Sequence, residues 1–286
     1  MIKVALTGAT GFIGRHVLAE LNSHNGVKII AVTRDLREGL PEISNGLWVQ
    51  MDVSEPPANV FEALDCPDLL IHLAWHGLPN YCSLHHFEAE LPIQYAFLKQ
   101  LIEQGLNSVV VSGTCFEYGM QSGSLSEEIE ARPANPYGFA KDTLRKQLQY
   151  LQVLHPFNLC WARLFYMYGD GQSDSSLISQ LKKAVERGDK VFNMSGGEQL
   201  RDYLPVNEVA KKMVSLTLKQ QNIGIINISS GKPLSVRNLI EKWIRDEQLD
   251  IELNLGFYPY PDYEPMAFWG SNRRLQEVLI DSKTAL

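Results

Sequence analysis

Apolar residues gather in short, nearly uninterrupted runs along the first half of the chain and somewhat beyond. "IKVALT" (2–7), "VKIIAVT" (27–33), "LWVQMD" (47–52), "DLLIHLA" (68–74), "NSVVVSG" (107–113) and "NLCWARL" (158–164) are the clearest. Runs without polar alternation predict parallel strands covered on both faces. Between them, residues 11–23, 54–65, 84–104 and 136–154 space their apolar positions for helices. The alternation predicts an α/β protein with a doubly wound parallel sheet and right-handed crossovers. After about residue 165 the pattern loosens. Helices are expected at 175–187, 206–219 and 235–247, separated by the Gly-rich "NMSGGEQLRDY" and followed by the Tyr/Pro-rich "FYPYPDYEP". We expect a sheet domain over 1–165 and a smaller α/β lobe over 166–286. The boundary is soft, because segments of the second part can return to the sheet.

"TGATGFIG" (7–14) joins the first strand to the first helix, with Gly8, Gly11 and Gly14 spaced three apart. Glycine lets the backbone turn tightly and approach a pyrophosphate, and the helix N-terminus behind it presents free N–H groups. This makes residues 1–165 a Rossmann-type dinucleotide domain, with Gly8, Thr10, Gly11, Phe12, Ile13 and Gly14 against the cofactor. The second strand ends in Thr33-Arg34, where an acidic residue would clamp the ribose of NAD. A guanidinium at Arg34 suits the 2′-phosphate of NADP(H) instead. Asp35, one place later, keeps NAD(H) open. Asp52 ends the third strand near the expected adenine, and Leu73 and Ala74 end the fourth beside the cofactor.

"NPYGFAK" (135–141) places Tyr137 and Lys141 four apart, on one face of a helix. An ammonium near a phenol stabilises tyrosinate, so the pair is expected to lower the Tyr137 pKa for proton exchange. Together with "TGATGFIG", "HLA" (72–74), the hydroxyl loop before "EYG", "ARLFYMYGDG" and "LRDYLPVNEVA", this chain resembles an extended short-chain dehydrogenase/reductase of the NAD(P)-dependent epimerase/dehydratase family. The resemblance runs over nearly the whole chain. It implies that Thr114 donates to the substrate oxygen, that Tyr137 is the acid/base, and that Lys141 anchors the nicotinamide ribose. It also implies a nucleotide-diphosphate sugar as substrate.

The loop "SGTCFEYG" (112–119) narrows the chemistry. In the family's 4,6-dehydratases the Thr is followed by Asp-Glu, a carboxyl pair that moves the protons of elimination. Here those positions are Cys115 and Phe116, which cannot replace it at neutral pH. Glu117 comes one place late and, in an extended loop, would face away; it is read as structural. The epimerase-reductases of the GDP-fucose type carry a loop cysteine aligned with Phe116, not with Cys115, which weighs against carbanion chemistry. Ketone reduction at a single carbon remains. On the stretches "SGTCFEYG" and "NMSGGEQLRDYLPV" the chain resembles bacterial reductases of NDP-4-keto-6-deoxyhexoses for surface polysaccharide. Two alternatives stay open: an NAD-retaining nucleotide-sugar 4-epimerase, and a non-catalytic NADP(H) sensor.

By the same resemblance, Arg201 of "R-D-Y" meets the substrate diphosphate, its local alternative being a pair with Asp202 or Glu198. Tyr166 stands where relatives carry Asn, and the family's basic "RPGD" segment is missing. His76, Cys115, Phe116 and Tyr166 are expected around the sugar, with Tyr81 and Trp269 as further candidate walls. His72, His76, Cys82, His85 and His86 cluster in sequence, but the spacing fits no tetrahedral set, so no metal is expected.

Composition is that of an ordinary globular protein, 45% hydrophobic and 21% charged. A net charge of −7 excludes a sequence-independent nucleic-acid binder but permits a local anion site. No apolar run reaches the roughly 18 residues of a membrane span. The opening "MIKVALTGAT" lacks a cleavage site, and the four cysteines are scattered without a C-x-x-C pair. A cytoplasmic enzyme is expected, dimerising through the helices of 84–104 and 136–154 as relatives do.

Overall fold

The computed structural model describes residues 1–280. Its sheet begins with β1 (Ile2–Thr7), β2 (Val27–Thr33), β3 (Gly46–Gln50), β4 (Leu69–His72) and β5 (Ser108–Thr114). Strands Asn158–Leu164 and Gly224–Ile228 complete it, giving seven parallel strands with Gly224–Ile228 at one edge and β3 at the other. β1 pairs with β2 and with β4, so the winding reverses beside it and a crevice opens over the carboxyl ends of β1 and β4. Gly224–Ile228 belongs to the sheet although it lies well past residue 165, with Ile226 opposite Ala162.

One face of the sheet is covered by α1 (Phe12–Asn22) and α6 (Val206–Leu218). Their Val17, Leu18, Val209 and Met213 share a core with Val4, Leu6 and Ile226. The other face is covered by α3 (Leu91–Glu103) and α4 (Pro136–Leu154), whose Phe97, Leu101, Leu144 and Leu148 pack on Ala5, Leu70, Val109 and Trp161. The core of the second part gathers Ile178 and Leu181 of α5 (Leu177–Glu186) with Leu239 and Ile240 of α7 (Val236–Asp246).

Two expected helices are cut short by proline. Over 54–65 only α2 (Val60–Ala63) forms, because Pro56 and Pro57 deny the first turns their donors. Over 84–104 the chain first makes a wider π turn, His86–Glu90, and becomes α-helical only at Leu91. Pro92 cannot donate back to residue 88, and the backbone widens ahead of it. That turn carries His86 and Glu90 inward, both buried.

Candidate active site

The loop after β1 is shaped by close backbone approach. Gly8 sits at φ +69°, and a Cβ on Gly14 would lie 2.0 Å from the Gly8 carbonyl. The N-terminus of α1 has no side-chain cap and no acid in its first turn. Its free N–H groups and partial positive charge therefore suit a pyrophosphate, and the residues fit a dinucleotide here. Beneath the loop, Thr7 Oγ1 lies 2.9 Å from His72 Nδ1, and His72 Nε2 lies 2.8 Å from Gln94 Oε1. Burial, with the Lys141 charge beside it, pushes the His72 imidazole down to about 3, so this pillar stays neutral.

β5 delivers Thr114 to the mouth of the crevice, where the chain turns at once into a 3₁₀ turn, Cys115–Tyr118. The segment is not extended, so the condition under which Glu117 would face away is not met. Thr114 and Glu117 form a capping box: Thr114 Oγ1 accepts from Phe116 N at 3.3 Å, and Glu117 Oε1 accepts from Thr114 N at 2.8 Å. Glu117 is thus folded back under Thr114, fully buried, with Arg163 Nε 2.6 Å and Trp161 Nε1 2.9 Å from its carboxylate. Its role is structural. Cys115 is buried next to it, and burial pushes its thiol up, so it stays protonated.

α4 begins at Pro136 with Asn135 as cap, Oδ1 accepting from Gly138 N at 2.8 Å. A Cβ on Gly138 would sit 2.6 Å from the Phe116 carbonyl, so glycine lets the helix start against the Thr114 turn. Tyr137 then comes beside Thr114, whose hydroxyl offsets a small part of the burial effect on the phenol. One helical turn on, Lys141 Nζ donates to the Ser112 carbonyl at 2.9 Å and stands 3.9 Å from the centre of the Trp75 ring. The expectation that Lys141 lowers the Tyr137 pKa is corrected. Nζ lies 6.0 Å from the Tyr137 ring centre, and burial dominates, pushing the phenol up.

A cavity of about 910 Å³ runs from this centre to α5 and α7. Gly8, Gly11, Phe12, Ile13, Gly14 and Leu73 line it beside the α1 N-terminus, and Thr114, Tyr137, Lys141, Tyr81, Cys115, Phe116 and Tyr166 line it as well. Thr10, Ala74, Arg34 and Asp52 are not in its wall. Arg34 is exposed past the end of β2, near enough to Asp52 to help hold that carboxyl low, behind two hydrogen bonds from Ser54. His76 is not in the wall either: its backbone N–H donates to Glu90 Oε2 at 3.1 Å. Trp269 lies instead in a strand beside Gly123–Leu125.

Arg201 differs from expectation in its partner. It is 2% exposed and does not face the cavity. Nη1 donates to the Leu200 and Met266 carbonyls at 2.9 and 3.2 Å. Nη2 stands 2.7 Å from Glu264 Oε1, an ion pair without the alignment of a hydrogen bond. Tyr166 donates to the other oxygen of Glu264. Asp202 instead accepts from Ser230 N and Gly231 N, at 2.7 and 2.8 Å. Sequence reading passed over Trp75, Tyr263 and Glu264, all in the cavity wall. Trp75 follows "HLA" directly and could have been found there. Glu264 sits 63 residues from Arg201, with no local signal to join them.

A dinucleotide loop at the switch point and a Thr-Tyr-Lys centre beside it define a nucleotide-cofactor redox enzyme of the short-chain dehydrogenase type. Residues 4–229 match the Epimerase family, the NAD dependent epimerase/dehydratase family. The chain belongs to that family and is an NAD(P)-dependent oxidoreductase. It is 30% identical over 275 residues to dTDP-6-deoxy-L-talose 4-dehydrogenase (NAD(+)) of Aggregatibacter actinomycetemcomitans, covering 94% of this chain and 100% of the relative. It is 23% identical to dTDP-4-dehydro-6-deoxyglucose reductase of Escherichia coli, covering 83% and 79%. Among solved structures, MoeE5 in complex with UDP-glucuronic acid and NAD is 27% identical with TM-score 0.81, over 97% of this chain and 92% of that one.

Proposed function

We propose that this protein reduces the C4 ketone of a nucleotide-linked 4-keto-6-deoxyhexose, such as dTDP-4-dehydro-6-deoxy-D-glucose to dTDP-D-fucose, for surface polysaccharide precursors. The observation that carries the reading is the Thr114–Tyr137 pair facing a cavity in which the carboxyl positions of elimination are a buried thiol and a phenyl ring. A reduced dinucleotide held by its pyrophosphate on the Gly8–Gly14 loop would supply the hydride. Tyr137, kept protonated by burial, gives its proton to the C4 oxygen. Thr114 Oγ1 accepts from Phe116 N, so its own proton is free to hold the same oxygen. Donors already aimed at that developing charge carry the main catalytic burden. Lys141 orients the nicotinamide ribose, and solvent returns the proton to Tyr137. The relatives named for C4 oxidation and C4 reduction support this site of reaction.

Arg34 and the missing acid at Thr33 support NADP(H) as cofactor. A relative named for NAD(+) favours the second reading, NAD(H). Arg201 reaches the substrate diphosphate once Glu264 releases it. A homodimer through α3 and α4 is supported by Phe139, Tyr150, Val153 and Leu154, all exposed on α4. The test is loss of reduced-nicotinamide absorbance with dTDP-4-dehydro-6-deoxyglucose, NADPH and NADH in parallel. Stoichiometric loss supports the reductase. C4 inversion without net cofactor loss would establish an epimerase, and full function in Tyr137→Phe a sensor.

A further inference from the structure

We propose that Trp75 is a positioning residue of this centre, its indole face holding the Lys141 side chain in place and in its charged form, with His86 fixing the indole for that task. The role in turnover rests on the reading of Lys141 given above. The geometry stands without it. Lys141 Nζ lies 3.9 Å from the Trp75 ring centre, well inside the roughly 6 Å reach of a cation–π contact. The same indole meets the Tyr137 ring edge to face, 5.9 Å between centres, so one side chain touches both members of the Tyr/Lys pair.

The indole is itself held. Trp75 Nε1 donates to His86 Nδ1 at 3.1 Å, and His86 Nε2 faces the Asn80 carbonyl at 2.8 Å. A carbonyl can only accept, so Nε2 carries the ring proton and Nδ1 is left as the acceptor that Trp75 needs. His86 is fully buried on the π turn, its plane 27° from that of Trp75, and burial keeps it neutral.

Lys141 needs such a partner. Burial pulls its ammonium down to about 7. The groups that face it are Glu117 from the turn after β5, Glu90 and His86 from the π turn, His72 from β4, and Tyr137 on its own helix. The two carboxylates favour the cation, yet Glu117 is spent on Arg163 and Glu90 on Gln94 and His76 N. Among the described residues no carboxylate stands at ion-pair distance from Nζ. The ring face is the group in contact that favours the charged state, beside the one carbonyl of Ser112.

The test is an NMR titration of protein carrying ¹³Cε-labelled lysine, without substrate or cofactor, with the Lys141 signal assigned by its loss in Lys141→Met. Trp75→Leu is expected to lower the Lys141 midpoint by about one pH unit, the size of a desolvated cation–π contact. Uniform replacement of tryptophan by 5-fluorotryptophan, which weakens the ring's negative face at nearly unchanged shape, should lower it in the same direction by less. It also decides the matter if Trp75→Leu does not fold. A midpoint that stays or rises with the fluorinated ring overturns the proposal. Failure of the reductase reading would look different: no turnover, with the midpoint still falling.

Discussion

Replacing Glu117 by Gln removes one negative charge from beneath Thr114 and changes almost nothing in shape. The carboxylate accepts from Arg163 Nε, Trp161 Nε1 and Thr114 N. Glutamine offers one oxygen and one NH₂, so at least one of these donors must face another donor. Arg163 is 1% exposed and would keep, among the described residues, Asp142 as its one carboxylate, at 4.0 Å, and the Tyr118 ring 4.4 Å away. A buried charge stripped of its partner costs about 3–5 kcal/mol. At about 2–4 °C per kcal/mol for a chain of this size, the melting temperature should fall by roughly 6–20 °C. Urea unfolding followed by circular dichroism measures the loss directly. The double variant Glu117→Gln/Arg163→Met should recover part of it, because the unpaired charge leaves with the arginine. A loss under ~1 kcal/mol, the scale of an exposed pair, would refute the reasoning. So would a double variant no more stable than the single one.

Tyr137→Phe should reduce kcat by about 10²–10⁴-fold, the usual scale of a positioned acid, while fluorescence titration finds NADPH binding unchanged. Arg34→Ala should weaken NADPH about tenfold or more and leave NADH alone, as expected for one charge-assisted phosphate contact; equal effects on both would show that Arg34 does not read the 2′-phosphate. Glu264→Gln should tighten binding of dTDP about tenfold in calorimetry by freeing Arg201; an unchanged Kd would make Arg201 purely structural. His72 is about 3 when folded and 6.5 when free, so below pH 6.5 the unfolded chain takes up the proton first. Wild type should therefore lose about 1.4 kcal/mol more per pH unit than His72→Asn as pH falls from 6.5 toward 3, measured by urea unfolding across that window.

The frame of the molecule was open to reading because parallel strands buried on both faces need unbroken apolar runs. "VKIIAVT" and "NLCWARL" end where the strands end. The Gly8–Gly14 loop and the Tyr137–Lys141 spacing are local patterns, and they were found for that reason. Gly224–Ile228 was missed because "GIINI" is short and lies amid the looser second half, although three of its five residues are isoleucine. The turn at Cys115 was in view too. Thr114-x-x-Glu117 is a capping-box pattern, and attention to its chemistry hid its conformation. Arg201 with Glu264, and Lys141 with Trp75, join distant segments, and no spacing rule reaches that far.

The edge strand Gly224–Ile228 also bears on how the molecule is made. During synthesis its partner Asn158–Leu164 emerges some sixty residues earlier, apolar on both faces and with one side unpaired. Until Gly224–Ile228 and α6 arrive, the nascent sheet has a sticky border and a bare face over β1 and α1. Such borders recruit other chains. A fragment ending near residue 165 would carry the entire Gly8–Gly14 loop and all of Thr114, Tyr137 and Lys141, yet it would be released with that border exposed. The chemistry is encoded early, but the solubility of the part that bears it is supplied by the last third of the chain.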